Sequence, residues 1–295
     1  MPLSTTDREK LLKRATVSAV GVALILIVAK FYAWLSTGSV SLQATLMDSI
    51  LDVAASAINY LAIRHSLKPA DHEHRFGHGK IEALAGLGQS LFIMVSAIFI
   101  FKSAFERFFS PHPLSAPGIG IGVMIFSIFL TFALLRYQKY VVAKTKSTAI
   151  GAEAVHYQSD ILINLSVLLS LALSGPLGLL WIDALMGAGI ALFILVCIIK
   201  ISRTSLDILM DHELPDDIRR TIKKTVLSHP KVHGLHDLRT RSTGSKHFFQ
   251  LHLELDDQIT LHQAHEISFE VETLIKKHYP NAEIIIHQDV KRDQH

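Results

Sequence analysis

Leu42 to Arg64 reads LQATLMDSILDVAASAINYLAIR, an apolar run broken by only two acidic residues, Asp48 and Asp52. Residues four apart share one face of an α-helix, so both carboxylates project from the same side of a segment long enough to cross a bilayer. An aspartate near the centre of a spanning helix costs roughly 2.5–3.5 kcal/mol on insertion scales, so two on one face mark a pathway or a cation site. The pattern recurs in His156 and Asp160, again four apart, near the start of the apolar run that follows Ala149. Two helices that each offer two ligands can make one four-ligand site.

The rest of the chain has the composition of a membrane protein. Its 295 residues are 49% hydrophobic, with charges gathered into a few blocks, and its mean hydropathy is +0.35. A net charge of +3 with neutral histidines gives no reason to expect a nucleic-acid partner. The lone cysteine, Cys197, sits in an apolar run, which excludes an intrachain disulfide and a thiolate metal cluster. The histidines are unusual: there are seventeen, and none precedes His65.

Met1 to Arg14 is a polar, basic leader, followed by apolar runs at Ala15–Ser36, Leu42–Arg64, Glu82–Phe105, Gly118–Leu135, from Ala149 onward, and Leu179–Ile201. Lys30 lies near the far end of the first run, where its stem is expected to snorkel to the interface. Basic residues concentrate in the leader, in Arg64–Lys80, in Arg136–Ser147 and after Lys200. The positive-inside rule puts all four in the cytoplasm, and six crossings satisfy them together, with both termini cytoplasmic. The expected organisation is a tail at 1–14, a six-helix transmembrane domain at 15–209 and a cytoplasmic domain at 210–295.

From about Met210 the composition becomes that of a soluble domain. Leu214–Leu227 and Leu261–His278 read as helices, and Leu235–Arg241, His247–Leu255 and Ala282–Asp289 as strands, in the order αββαβ. That order suggests an open α/β sandwich with its helices on one face. Period two puts His287 and Asp289 on one face of their strand and turns His252 away from its apolar neighbours, while His265 lies on the intervening helix. Neutral imidazole with carboxylate suits a divalent transition metal such as zinc.

The motifs LMDSILD, PADHEHRFGHGK, HYQSD, LHDLRTR, LHLEL, QAH and IIHQD occur in one order across nearly the whole chain. Together they resemble the cation diffusion facilitators, in particular the bacterial zinc and ferrous-iron efflux branch. The resemblance implies a homodimer in the bacterial inner membrane that exports a divalent cation, zinc above all with cadmium and iron as alternatives, in exchange for protons. It implies a ferredoxin-like cytoplasmic domain, and a transport site of Asp48, Asp52, His156 and Asp160. It further implies a loop site of Asp71, His74 and His78, a cytoplasmic binuclear site of His236, His252, His265, His287 and Asp289, and an interdomain charge pair of Lys80 with Asp211.

The chemistry of the central site agrees with transport. Three carboxylates and one neutral imidazole carry a formal charge of −3, so a divalent cation leaves −1 instead of a large buried charge. The ligands must shed protons to take the metal, so binding releases protons. A hydrolytic enzyme is disfavoured, because four ligands leave no obligatory open position. A passive cation channel would use the same carboxylates without depending on a proton gradient. A membrane-anchored metal sensor would use the tail histidines and leave the intramembrane aspartates unexplained.

Overall fold

In a computed structural model, residues 5–37, 40–109, 118–177, 181–244 and 246–291 are described; within the helices, a few side chains fall outside the description, those of Asp48 and Asp183 among them. The chain divides into two compact units, 1–206 and 207–295.

The first unit is helical: α1 (Thr5–Thr37), α2 (Val40–Ser66), α3 (Lys80–Phe109), α4 (Gly118–Thr145), α5 (Thr148–Leu177) and most of α6 (Trp181–Leu209). Among the described residues, four stretches are long and apolar enough to cross a membrane: Thr6–Ser36, Lys80–Glu106, Ile121–Thr145 and Ala184–Leu209. The other two helices, α2 and α5, carry the aspartates and the histidine, and parts of both lie outside the described side chains. The basic leader is not set apart: α1 begins at Thr5, and Leu12 and Ala15 are fully buried. Arg8 reaches across to Glu82 at the start of α3 (3.1 Å), with both side chains largely buried.

Small residues let these helices approach closely. Leu12 and Ala15 of α1, Ile63 of α2, Val141 of α4, and Ala149 and Ile150 of α5 form one cluster. Ile93 and Ala97 of α3 meet Ile190, Ile194 and Ile198 of α6 in another. At Gly86 of α3 a Cβ would stand 3.0 Å from the Thr148 carbonyl carbon and 3.2 Å from Ser205 Oγ, so any side chain there would push the start of α5 away. Lys30 departs from the snorkelling expectation. Its ammonium donates to Ser49 Oγ of α2 (2.7 Å).

The second unit contains α7 (Asp216–Leu227), β1 (Gly234–Ser242), β2 (His247–Leu255), α8 (Leu261–His278) and β3 (Glu283–Val290). Pro215 caps α7 just ahead of Asp216 and Asp217, which place negative charge at the positive end of the helix. α8 opens with a capping box in which Thr260 and Gln263 satisfy each other's backbone donors. The sheet order is β1-β2-β3, with β1–β2 antiparallel and β2–β3 parallel. Phe249, Leu251, Leu253 and Leu255 of β2 pack under Ile222 and Val226 of α7 and under Ile267, Val271 and Ile275 of α8. Both helices therefore cover one sheet face. His252 alternates with these core residues and points to the other.

Candidate metal centres

The first centre joins α2 to α5. His156 Nε2 lies 2.8 Å from Asp52 Oδ1 and 3.8 Å from Asp160 Oδ2. One ligand atom from each residue falls within 4.8 Å of the others. Ligands at about 2.0–2.2 Å from a tetrahedral zinc stand roughly 3.4 Å apart, so these separations straddle what one ion requires. The side chains are 14–31% exposed, sheltered but not sealed. Asp48 belongs to the same helix four residues before Asp52, and its side chain lies outside the described residues.

One turn before His156 sits a group that the sequence reading passed over. Glu153 is 1% exposed, in the helical unit. Its Oε1 accepts from Ser56 Oγ (2.7 Å), and its Oε2 accepts from Asn59 Nδ2 (3.1 Å) and Gln138 Nε2 (3.0 Å). The Tyr157 hydroxyl meets Ser56 Oγ at 3.0 Å. A buried carboxylate is tolerable only with such partners, and here neutral donors from α2 and α4 supply them. The signal was present: Asp52, Ser56 and Asn59 follow one another at helical spacing, and Glu153 precedes His156 by three.

The second centre is the connection between α2 and α3. Asp71 Oδ1 stands 3.3 Å from His74 Nδ1, and Asp71 Oδ2 stands 3.3 Å from His78 Nε2. The chain reverses between the two histidines through Gly77, whose φ of +83° is in the left-handed region that glycine adopts without strain. The His74 backbone N–H donates to Asp71 Oδ1 (2.6 Å) and, with the nearby imidazoles, holds that carboxyl below the usual carboxylate range. The aspartate is thereby kept ionised, the form a cation needs.

The third centre lies on the uncovered face of the sheet. The register pairs His236 with His252 and His252 with His287 across the three strands. Asp289 Oδ2 lies 3.1 Å from His236 Nε2 and 2.8 Å from His252 Nδ1, and Asp289 Oδ1 lies 3.4 Å from His287 Nε2. The hydrogen bond from His252 is the main reason the Asp289 carboxyl lies below its ordinary range. Glu254 Oε1 takes the other nitrogen of His236 (3.1 Å), a contact that orients the ring.

Two residues at this centre depart from the spacing argument. His265 is exposed on α8, which packs against the opposite face of the sheet, so within one chain it stands apart from the cluster. Asp237 joins instead, with Oδ2 at 3.7 Å from His252 Nε2. It occupies a bulge in β1, at φ +45°, where the register shifts between His236 and Arg239. Strict alternation along a strand cannot reveal a bulge.

Lys80 opens α3 in the first unit, and in the second Asp211 meets Arg241 at 3.4 Å.

A helical unit with a ligand cluster between two of its helices, attached to a small α/β unit with a His/Asp face, defines a membrane protein built to handle cations. Comparison with known families gives the group. Residues 16–210 match the description "Cation efflux transmembrane domain", and residues 214–291 match "Cation efflux protein, cytoplasmic domain". The chain belongs to this cation-efflux family, the cation diffusion facilitators, and is thus a transporter with several membrane-crossing helices. It is 46% identical over 280 residues to "Cation-efflux pump FieF" of Serratia proteamaculans (strain 568), covering 95% of this chain and 93% of that protein. The pump of the same name from Yersinia enterocolitica serotype O:8 is 47% identical over 280 residues, with the same coverage. Among solved structures, the "Metal-bound C-terminal domain of CzcD transporter from Thermotoga maritima" is 27% identical over 25% of this chain and 87% of that one, with a TM-score of 0.24.

Proposed function

We propose that the protein exports divalent metal cations, zinc first, from the cytoplasm in exchange for protons. The observation that carries this reading is the 2.8 Å contact between His156 Nε2 and Asp52 Oδ1. A neutral imidazole nitrogen without hydrogen and a carboxylate are both acceptors, so a bond of this length between them contains a proton. A cation that takes the same two atoms displaces that proton, and when the ring is an imidazolium, with its other proton on Nδ1, or the carboxyl is protonated, the displaced proton leaves the site. Metal and proton therefore compete for one site, which is the requirement for exchange. If the protonated and metal-bound forms favour opposite facings, a proton gradient directed inward moves metal outward by alternating access.

In this reading Asp48 and Asp160 complete the set with Asp52 and His156, and the cation is the substrate. The donor set of carboxylates and one imidazole fits zinc and tolerates cadmium or ferrous iron. The functional molecule is a homodimer of six-span protomers in the bacterial inner membrane, with its termini and the domain after residue 209 in the cytoplasm. Asp289 faces His236 and His252 with one oxygen and His287 with the other, an arrangement suited to bridging two zinc ions. Zinc held there neutralises facing acidic groups and draws the two tails together, with Lys80 and Asp211 carrying the effect to the membrane domains.

Metal uptake into proteoliposomes under an imposed pH gradient, across a panel of zinc, cadmium, iron and manganese, tests the reading. Zinc flux that rises with the gradient supports exchange. Flux that ignores it makes the protein a channel.

A further inference from the structure

A third imidazole stands beside the cluster of Asp71, His74 and His78. His65, in the last turn of α2, sets its ring edge-on to that of His78, with centroids 5.1 Å apart and planes at 70°. On the loop side, the His74 ring lies 4.5 Å from His78. His78 is thus flanked on two sides, with the Asp71 carboxylate at its Nε2. His78 is also 6% exposed, and its Nδ1 is buried without a hydrogen-bond partner.

We propose that His65 is the fourth ligand of the loop metal site, closing a tetrahedral set of one carboxylate and three imidazoles. The proposal rests on reading Asp71, His74 and His78 as a metal site. Zinc and cobalt in structural sites take four ligands, and the loop cluster alone provides three. His65 is exposed, so its ring turns about two side-chain torsions without disturbing the core. An ion on Nε2, the nitrogen that faces Asp71, fixes the hydrogen of the His78 ring on Nδ1.

The donor set also determines what is bound. Three imidazoles and one carboxylate leave a site of net charge +1 with a divalent ion, which favours zinc, cobalt or nickel and disfavours magnesium and calcium, whose preferred ligands are oxygens. The four ligands come from the end of α2, the loop and the residue just ahead of α3. An ion held by all four clasps the end of α2, the helix that carries Asp52, to the start of α3. A three-ligand site would hold the loop to α3 but leave α2 unconstrained.

The test is cobalt binding to the full-length protein in which Asp52→Asn, Asp160→Asn, His236→Ala and Asp289→Ala disable the other two centres. Visible absorption reports tetrahedral geometry, and X-ray absorption counts imidazoles. The parent is expected to bind one cobalt in a tetrahedral site with three imidazoles. His65→Ala should weaken binding by at least about tenfold, the lower end for disturbing a metal-supporting residue, lower the imidazole count to two and reduce the tetrahedral bands. His65→Asn, a second helix-compatible change, should do the same. Unchanged affinity and spectrum in both variants overturn the role of His65 while leaving the three-residue site intact. Weaker binding with the imidazole count unchanged makes His65 a positioning residue and also overturns the proposal. Cobalt binding that survives Asp71→Ala unchanged overturns the loop site itself, and the proposal with it.

Discussion

The membrane centre and the sheet-face centre use the same two kinds of side chain in opposite surroundings. In the first, Asp52, His156 and Asp160 face one another across two helices, above the fully buried Glu153 and its donors. In the second, His236 and His287 are 47% and 62% exposed, on strands whose other face holds the core. Without a cation, exposed ligands are hydrated at little cost, whereas sheltered ones must be neutralised by protons or metal. Under the proposed function these surroundings would divide the labour, the sheltered centre coupling metal to protons and the exposed one responding to metal concentration.

The largest effect should separate the two centres outright. Asp52→Ala or Asp160→Ala is expected to reduce zinc flux to the level of empty liposomes while the dimer still assembles, as judged by size-exclusion chromatography. His252→Ala should leave flux within a few-fold of the parent. Equal losses from both centres would erase the distinction.

The next effect is on stability. Glu153→Ala strands donors from Ser56, Asn59 and Gln138, and each unsatisfied buried group costs about 1–3 kcal/mol. Thermal unfolding in detergent should therefore shift down by several degrees at least. Glu153→Gln, which keeps the shape and one acceptor oxygen, should shift it less. An unchanged midpoint in the alanine variant would mean that water supports this network.

Selectivity comes third. A carboxylate can bind through one oxygen or two and so adjust to a larger ion, whereas an imidazole offers one directed lone pair. Asp48→His is expected to keep zinc transport and lose most cadmium transport, read as the ratio of initial fluxes at matched metal activity and pH gradient. Cadmium flux that persists in proportion to zinc would assign selectivity to helix packing.

The smallest effect concerns the tail. The Asp289 carboxyl is depressed by its histidine neighbours. The stability it contributes is therefore fully present above the ordinary carboxylate pKa of about 3.9 and is lost as pH falls through the lower folded value. In chelator, Asp289→Asn should destabilise the tail at neutral pH, and the difference from the parent should vanish in strong acid. A fluorescent label on the tail, followed through denaturant titrations at each pH, measures it. A difference that persists unchanged into strong acid would mean that Asp289 acts through packing instead.

Much of this was legible in the sequence because helix and strand periods are strict. The four-residue spacing put Asp48 with Asp52 on one face of α2 and His156 with Asp160 on one face of α5, with the repeated pattern and the family resemblance suggesting that the two faces meet, and alternation in β2 and β3 gave the face shared by His252, His287 and Asp289. What escaped were groups whose role depends on a neighbour not fixed by local spacing. Glu153 is explained only by Ser56, Asn59 and Gln138 on other helices. Asp237 reaches the sheet-face cluster through a bulge. His265 satisfied the composition of that cluster, but its helix packs on the other face. Lys30 found a hydroxyl across a helix interface, where single-helix reasoning sent it toward the lipid headgroups.

Reciprocal coupling offers the most direct test of the central claim. In proteoliposomes holding a luminal pH dye and no initial pH gradient, an imposed zinc gradient should by itself drive protons in the direction opposite to zinc. Asp160→Ala should abolish both movements together. Zinc crossing the membrane with no change in luminal pH would contradict the account, because metal and proton would then not be competing for the pair formed by His156 and Asp52.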